Sequence, residues 1–349
     1  MELYISFAAL LFMGANLSLQ NKTSERIENA YTPIAILIIS AWAYSAGAGT
    51  DYISYKDFFE TLKTDLNFQS LLQWWEPGFI AYSLPFIALD ASYDTLVFFA
   101  VLTSLLLCGV AYKITSSSGL AAFIFSLYCL SIGFIPFIRQ DLAAAIAFLA
   151  FSFLLKDKKK LFATLAIISF LVHKSAIFPI AGTLIVFSYQ SKRATRAVLF
   201  TLLAAFAAIL AYLLLSPERI ETQISVYFTD EFTQGFGDAG LSLFRNYLKF
   251  IFLVLAASIL YFLSLKRHDN SSSKAAYAVI LILSATSLIL VYFSPVFARN
   301  AIFIFPFLAM LYAQASSSRD MQSIVIAYLI GTGFIIFLFL ALKPVIDYM

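Results

Sequence analysis

Apolar residues follow one another in long blocks along this chain, and short polar stretches cut the blocks apart. At about 20 apolar residues per bilayer crossing, the blocks predict membrane spans over residues 3–20, 30–48, 93–113, 119–138, 141–155, 161–173, 175–189, 197–215, 246–265, 275–296, 300–315 and 322–342. That makes about twelve helices. A further apolar piece, residues 77–89, is too short for an ordinary crossing and reads as a re-entrant or interfacial segment. The pattern therefore predicts an all-α fold, a polytopic transmembrane helical bundle forming a single integral membrane domain over residues 1–349. No internal repeat and no extended low-complexity tract interrupts it.

Two polar stretches are long. Residues 49–76 carry Tyr52, Tyr55, Phe59 and Leu62 near a helical period, with Lys56, Asp57, Glu60 and Lys63 between them. This predicts an amphipathic helix lying on the membrane surface, followed by Trp74 and Trp75 in an interfacial aromatic belt. Residues 216–245 contain Pro217, Gly235, Gly237 and Gly240 and read as a partly mobile loop.

Composition narrows the class. Of 349 residues, 61% are hydrophobic, against roughly 45–50% in soluble domains. A soluble fold of this size has no interior large enough for them, so a water-soluble enzyme is excluded. The net charge of +3 is too small to suggest nucleic acid. Cys108 and Cys129 both sit inside apolar blocks and read as core residues, neither a disulfide framework nor a metal site.

Lys and Arg in short loops set sidedness. The basic loops are Lys22/Arg26, Lys156 to Lys160, Lys192-Arg193 with Arg196, and Lys266-Arg267. These belong in the cytoplasm, provided that residues 77–89 do not cross. The first span is followed, not preceded, by basic residues, and reads as uncleaved with its N-terminus outside. The opposite face then carries residues 49–76, Arg139-Gln140, His173-Lys174, residues 216–245 and Arg299-Asn300.

That face should be poor in arginine, yet Arg139, Arg245 and Arg299 stand there, each at the mouth of a helix. His173 joins two apolar runs of only about 12–14 residues, or roughly 18–21 Å of helix against a hydrocarbon core of about 30 Å. It is therefore expected below the membrane surface, in a water-filled recess. Arginine grips phosphate oxygens with two parallel hydrogen bonds, and several arginines suit a pyrophosphate. A recess at the membrane surface suits a ligand whose tail stays in lipid. A polyprenyl-pyrophosphate fits this charge placement, and so does an anionic lipid headgroup. Carboxylates on the same side include Asp51, which opens the amphipathic stretch, and Glu76, which stands directly before Pro77-Gly78-Phe79.

These residues also carry a resemblance. Asp51-Tyr52-Ile53-Ser54-Tyr55-Lys56-Asp57-Phe58-Phe59 and Glu76-Pro77-Gly78-Phe79 read as DYxxYxxFF and EPGF elements. Arg139-Gln140 precedes Ala143-Ala144-Ala145, His173 follows an apolar helix, and Arg299 precedes an aromatic-rich span. In order and spacing the chain resembles the bacterial polysaccharide polymerases of the O-antigen/exopolysaccharide (Wzy) type, most closely the EpsG-like exopolysaccharide branch. The matched stretch runs from Asp51 to about Arg299. Arg245 matches less closely, and residues 216–245 do not match.

The resemblance implies a glycosyltransferase with a GT-C-like helical fold in the bacterial inner membrane, working on the periplasmic or outer side. It implies undecaprenyl-pyrophosphate-linked oligosaccharides as donor and acceptor, a chain-length regulator as partner, and no cofactor or metal. The growing glycan is passed to the non-reducing end of a fresh lipid-linked unit. The sequence has no Asp-x-Asp pair and no His/Cys cluster; its other histidine, His268, lies in a basic loop and reads as solvated. Arg139, Arg245 and Arg299 are then candidates for the diphosphate, Gln140 for a further contact to the substrate, and Tyr52 and Tyr55 for stacking on sugars. Glu76 and His173 stand equal as candidate bases, with Asp51 third. Two other readings share the helices and arginines: an O-antigen-type ligase or a transferase using polyprenyl-phosphate sugars, and a lipid-linked-sugar flippase. The lack of an internal repeat disfavours transport.

Overall fold

The structure, a computed structural model, describes residues 52–64, 75–115, 138–190, 239–265, 271–293 and 295–316. The expected spans 3–20, 30–48, 197–215 and 322–342 lie outside them, as do nearly all of 119–138, Asp51, Trp74, Cys129, His268, the loop up to residue 238 and the basic loops other than Lys156 to Lys160. Every described element is helical. In chain order they are α1 (Tyr52–Thr64), α2 (Pro77–Ala88), α3 (Tyr93–Ile114), α4 (Ile138–Leu155), α5 (Lys159–Val172), a 3-10 turn (Lys174–Ala176), α6 (Ile177–Gln190), α7 (Ala239–Ser264), α8 (Ser271–Phe293), a 3-10 stretch (Pro295–Phe303) and α9 (Phe305–Ser316). Three described helices are long and apolar enough to cross a membrane: α3, α4 and α8 over Ser271–Leu290.

Local chemistry sets the ends. The Ser92 hydroxyl accepts from the Thr95 N–H at 3.3 Å and caps α3, whose first turn holds Asp94 and last turn Lys113, each matching the helix dipole. At the α4–α5 turn, Asp157 takes φ 56°. The N–H of Lys158 reaches back to the Phe153 carbonyl and that of Asp157 to Leu154, closing the last turn of α4 in a Schellman pattern.

Helix α4 is the centre of the bundle. Its small residues Ala143, Ala144 and Ala145 are fully covered, and they let α5 approach until the Ser169 hydroxyl donates to the Ala143 carbonyl at 2.7 Å. Lower down, Phe148 and Phe151 meet Phe307 of α9 with ring centroids 5.1 and 4.9 Å apart. The Tyr112 hydroxyl of α3 donates to the Pro306 carbonyl at 3.0 Å and ties the third wall to the same place.

Helix α1 departs from its expected seat. Tyr52, Phe59 and Leu62 are buried against protein, with the Tyr52 and Phe59 rings on Tyr93 of α3. The amphipathic face is thus turned inward instead of onto lipid. Trp75 is buried between Phe58 and Phe79 and so is no belt residue. Helix α2 begins beside α1 at Trp75 and ends beside it at Asp90, where Lys63 lies 3.1 Å away. The two short helices lie side by side.

Candidate functional site

The site forms where the start of α2, the start of α4 and the end of α5 converge. Gly78 brings α2 there. A Cβ at this position would stand 2.6 Å from the Leu171 backbone carbon and 2.8 Å from the Val172 nitrogen. Only glycine lets the first turn of α2 rest directly on the last turn of α5, and two residues earlier that contact delivers Glu76. Pro77 suits the first helical position, where a missing N–H costs nothing.

Arg139 meets Glu76 from the first turn of α4; the turn expected at 139–141 is already helix. Its Nη1 donates to Glu76 Oε2 at 2.7 Å and its Nη2 to the Tyr55 hydroxyl at 2.9 Å. The guanidinium also stands over the rings of Tyr55 at 4.7 Å and Trp75 at 5.6 Å, an arrangement that favours a delocalised cation. Tyr55 and Trp75 therefore orient a cation here. Tyr52 is hydrogen-bonded to Asp94, and its burial together with that carboxylate pushes its hydroxyl up to about 12.

His173 closes the cluster from the end of α5. Its Nε2 lies 3.9 Å from Glu76 Oε1, and its Nδ1 accepts from the Ser175 N–H at 3.1 Å. That second bond fixes the tautomer. A backbone N–H can only donate, so the neutral ring carries its proton on Nε2, facing Glu76. His173 is buried, not set in an open recess. Burial holds it down at about 4; Glu76 works against that shift, while Arg139, Lys174 and Arg299 add to it. Burial raises the Glu76 carboxyl, but its interactions with His173, Arg139 and Lys174 outweigh that and leave the carboxyl below its ordinary value. At neutral pH the site holds a carboxylate, a guanidinium and a neutral imidazole.

Arg299 joins through its field on His173 and lies in the 3-10 stretch before α9, not in a loop before a helix starting at 300. Arg245 falls within α7, so the last residues of the expected 216–245 loop are helical; its side chain lies outside the described residues. Gln140 and Asn300, the neighbours of Arg139 and Arg299, are buried. Among the described residues Gln140 Oε1 and Asn300 Nδ2 have no hydrogen-bond partner. Asn300 escaped sequence reasoning, although the repeated Arg-amide pair (Arg139-Gln140, Arg299-Asn300) was visible. Among the described residues no group of three or more His, Cys, Asp or Glu stands ready for a metal.

Comparison with known proteins gives one family. The model described as the EpsG family matches residues 29–348. No curated protein and no solved structure matches the chain.

Proposed function

The chain belongs to the EpsG family, and from that premise we propose that it is a membrane-embedded polysaccharide polymerase whose reacting groups gather around Glu76. The family points to polymerase-type chemistry on lipid-linked polysaccharide substrates in general. The finer reading is ours: about twelve spans in a GT-C-like arrangement, a site facing the outer side of the bacterial inner membrane, and a glycan passed from undecaprenyl-pyrophosphate to the non-reducing end of another lipid-linked unit.

The observation that carries it is the part-buried contact of Glu76 with Arg139 at 2.7 Å and with the proton-bearing Nε2 of buried His173 at 3.9 Å. Glycosyl transfer breaks an acceptor O–H bond and the bond from the anomeric carbon to the diphosphate, and makes one new C–O bond. The proton needs an acceptor. His173 Nδ1 already takes the Ser175 N–H, and neutral Nε2 carries a hydrogen, so the ring serves as a donor. Glu76 Oε1 is the oxygen that Arg139 leaves, and it takes the proton. Negative charge then disappears from Glu76 while it appears on the departing diphosphate. Arg139, its carboxylate partner neutralised, turns its charge to that leaving group, with Arg299 and Arg245 adding positive potential.

Purified protein reconstituted with lipid-linked repeat units is expected to build a ladder of oligomers. Glu76→Gln keeps the shape and loses the proton acceptor, and should cut the rate by about 100-fold or more. A wild-type protein that leaves single units unjoined, or a Glu76→Gln protein that elongates at the wild-type rate, overturns this reading.

A further inference from the structure

Two buried amides flank the charged cluster, and each has one polar atom that meets no partner among the described residues. Gln140 is 8% exposed and Asn300 is 2% exposed. Gln140 Oε1, an acceptor, and Asn300 Nδ2, a donor, make no hydrogen bond. Leaving such a buried atom unmet costs about 1–3 kcal/mol, so two of them beside a reacting centre ask for a ligand.

The register places them together. The 3-10 stretch that carries Arg299 packs against α4 and brings Arg299 within reach of His173 at the end of α5, beside the start of α4, and Phe307 meets Phe148 and Phe151 in the middle of α4. The chain from 299 to 307 therefore runs down α4 in the same direction. Gln140 lies eight residues above Phe148, about 12 Å at helical rise. Asn300 lies seven residues above Phe307, through one helical and one 3-10 segment, about 13 Å. The two amides stand at one level on neighbouring elements. Gln140 also shares a helix face with Ala144, Ala147 and Phe151, the face turned to Phe307.

We propose that Gln140 and Asn300 form a subsite for a neutral saccharide ring, set beside the arginines that receive the diphosphate. The pair itself selects this chemistry. At neutral pH a phosphate offers only acceptors, and Gln140 Oε1 has nothing to gain from it. A sugar hydroxyl both donates and accepts, and one ring satisfies both amides. The Arg-amide repeat then has a division of labour: each arginine contributes charge, and each following amide reads the sugar. This rests on the polymerase reading for the identity of the sugar, the unit carried on the diphosphate.

The test measures binding by thermal shift on the full-length protein in lipid nanodiscs. The probes are inorganic pyrophosphate and the repeat-unit saccharide released by mild acid from the cell's own lipid-linked intermediates. Gln140→Met and Asn300→Leu should each weaken saccharide binding about tenfold, equivalent to about 1.4 kcal/mol, and leave pyrophosphate binding unchanged. Neither should lower the Tm without ligand, because each removes an unpartnered polar atom. Asn300→Asp replaces the donor by an acceptor in the same shape; it should lose the saccharide equally and stands in if the leucine variant fails to fold. Wild-type protein that does not bind the saccharide, unchanged saccharide affinity in the variants, or pyrophosphate affinity falling in step overturns the subsite. A wild-type protein that binds the saccharide through Asn300 but joins no lipid-linked units sinks the polymerase reading and leaves the subsite standing.

Discussion

The two ends of α4 carry charge in opposite ways. At its start, Arg139 and Glu76 form a pair with side chains 13% and 15% exposed, beside a buried His173. At its end, Lys156, Asp157, Lys158, Lys159 and Lys160 are all exposed, and the Lys159–Asp157 pair at 3.3 Å has side chains 49% and 84% exposed. Part-buried contacts between α8 and the end of α9 use neutral groups: Ser273 donates to Gln314, which donates to Ser272. A solvated ion pair contributes about 0–1 kcal/mol and asks for no special surroundings. A buried one holds only where geometry compensates the lost hydration. Among the described residues such compensation is built at one end of α4, where the proposed chemistry lies, while the other end simply meets water.

This contrast can be broken from its strong side first. Arg139→Leu takes the closest cation from the part-buried Glu76 and should lower unfolding stability by up to about 3–5 kcal/mol, with Glu76→Leu in the same chain restoring most of it. Denaturant midpoints read both; an unmoved midpoint in the single variant would show that the pair carries little. Next comes pH. His173 sits at about 4 in the fold against an ordinary 6.5, so its contribution is complete above about pH 6.5 and is lost as pH falls toward 4. The total is on the order of 3 kcal/mol. The Glu76 carboxyl, held below its ordinary 4.5, adds its own loss only below that value, so the decline in Tm between pH 6.5 and 4.5 belongs to His173. His173→Gln should flatten that decline.

Gly78→Ala forces a methyl group onto the α5 backbone, at a cost of about 1–3 kcal/mol. It should also slow polymerisation, because Glu76 moves with the first turn of α2. A variant with wild-type Tm and rate would show that α2 shifts without consequence. Smallest is Lys159→Ala, which should change stability by no more than about 0.5 kcal/mol. A larger loss there would erase the distinction between the two ends.

Much of the candidate site was legible before any fold was known. Glu76, Arg139 and His173 stand out because an ionisable group at the edge of an apolar block is costly, and the chain offers few of them. Helices α3, α4 and α8 were legible for the matching reason, their unbroken apolar length. The destination of the α1 face was not. Tyr52, Phe59 and Leu62 avoid water equally well on lipid or on protein, and hydropathy alone does not distinguish the two. Trp75 followed the same logic: an aromatic at a predicted boundary reads as a belt, while its real neighbours are Phe58, Phe79 and the Arg139 guanidinium.

By itself the sequence determined that helices form, where several begin and end, and which few charges lie beside apolar runs, since each depends on neighbours along the chain. The tertiary structure decided partnership. Glu76 and Arg139 are 63 positions apart, and they meet because a glycine lets two helix backbones touch. His173 became a donor because the next turn offered its ring nitrogen an N–H. Such outcomes depend on which surfaces pack together, and no stretch of chain carries that information alone.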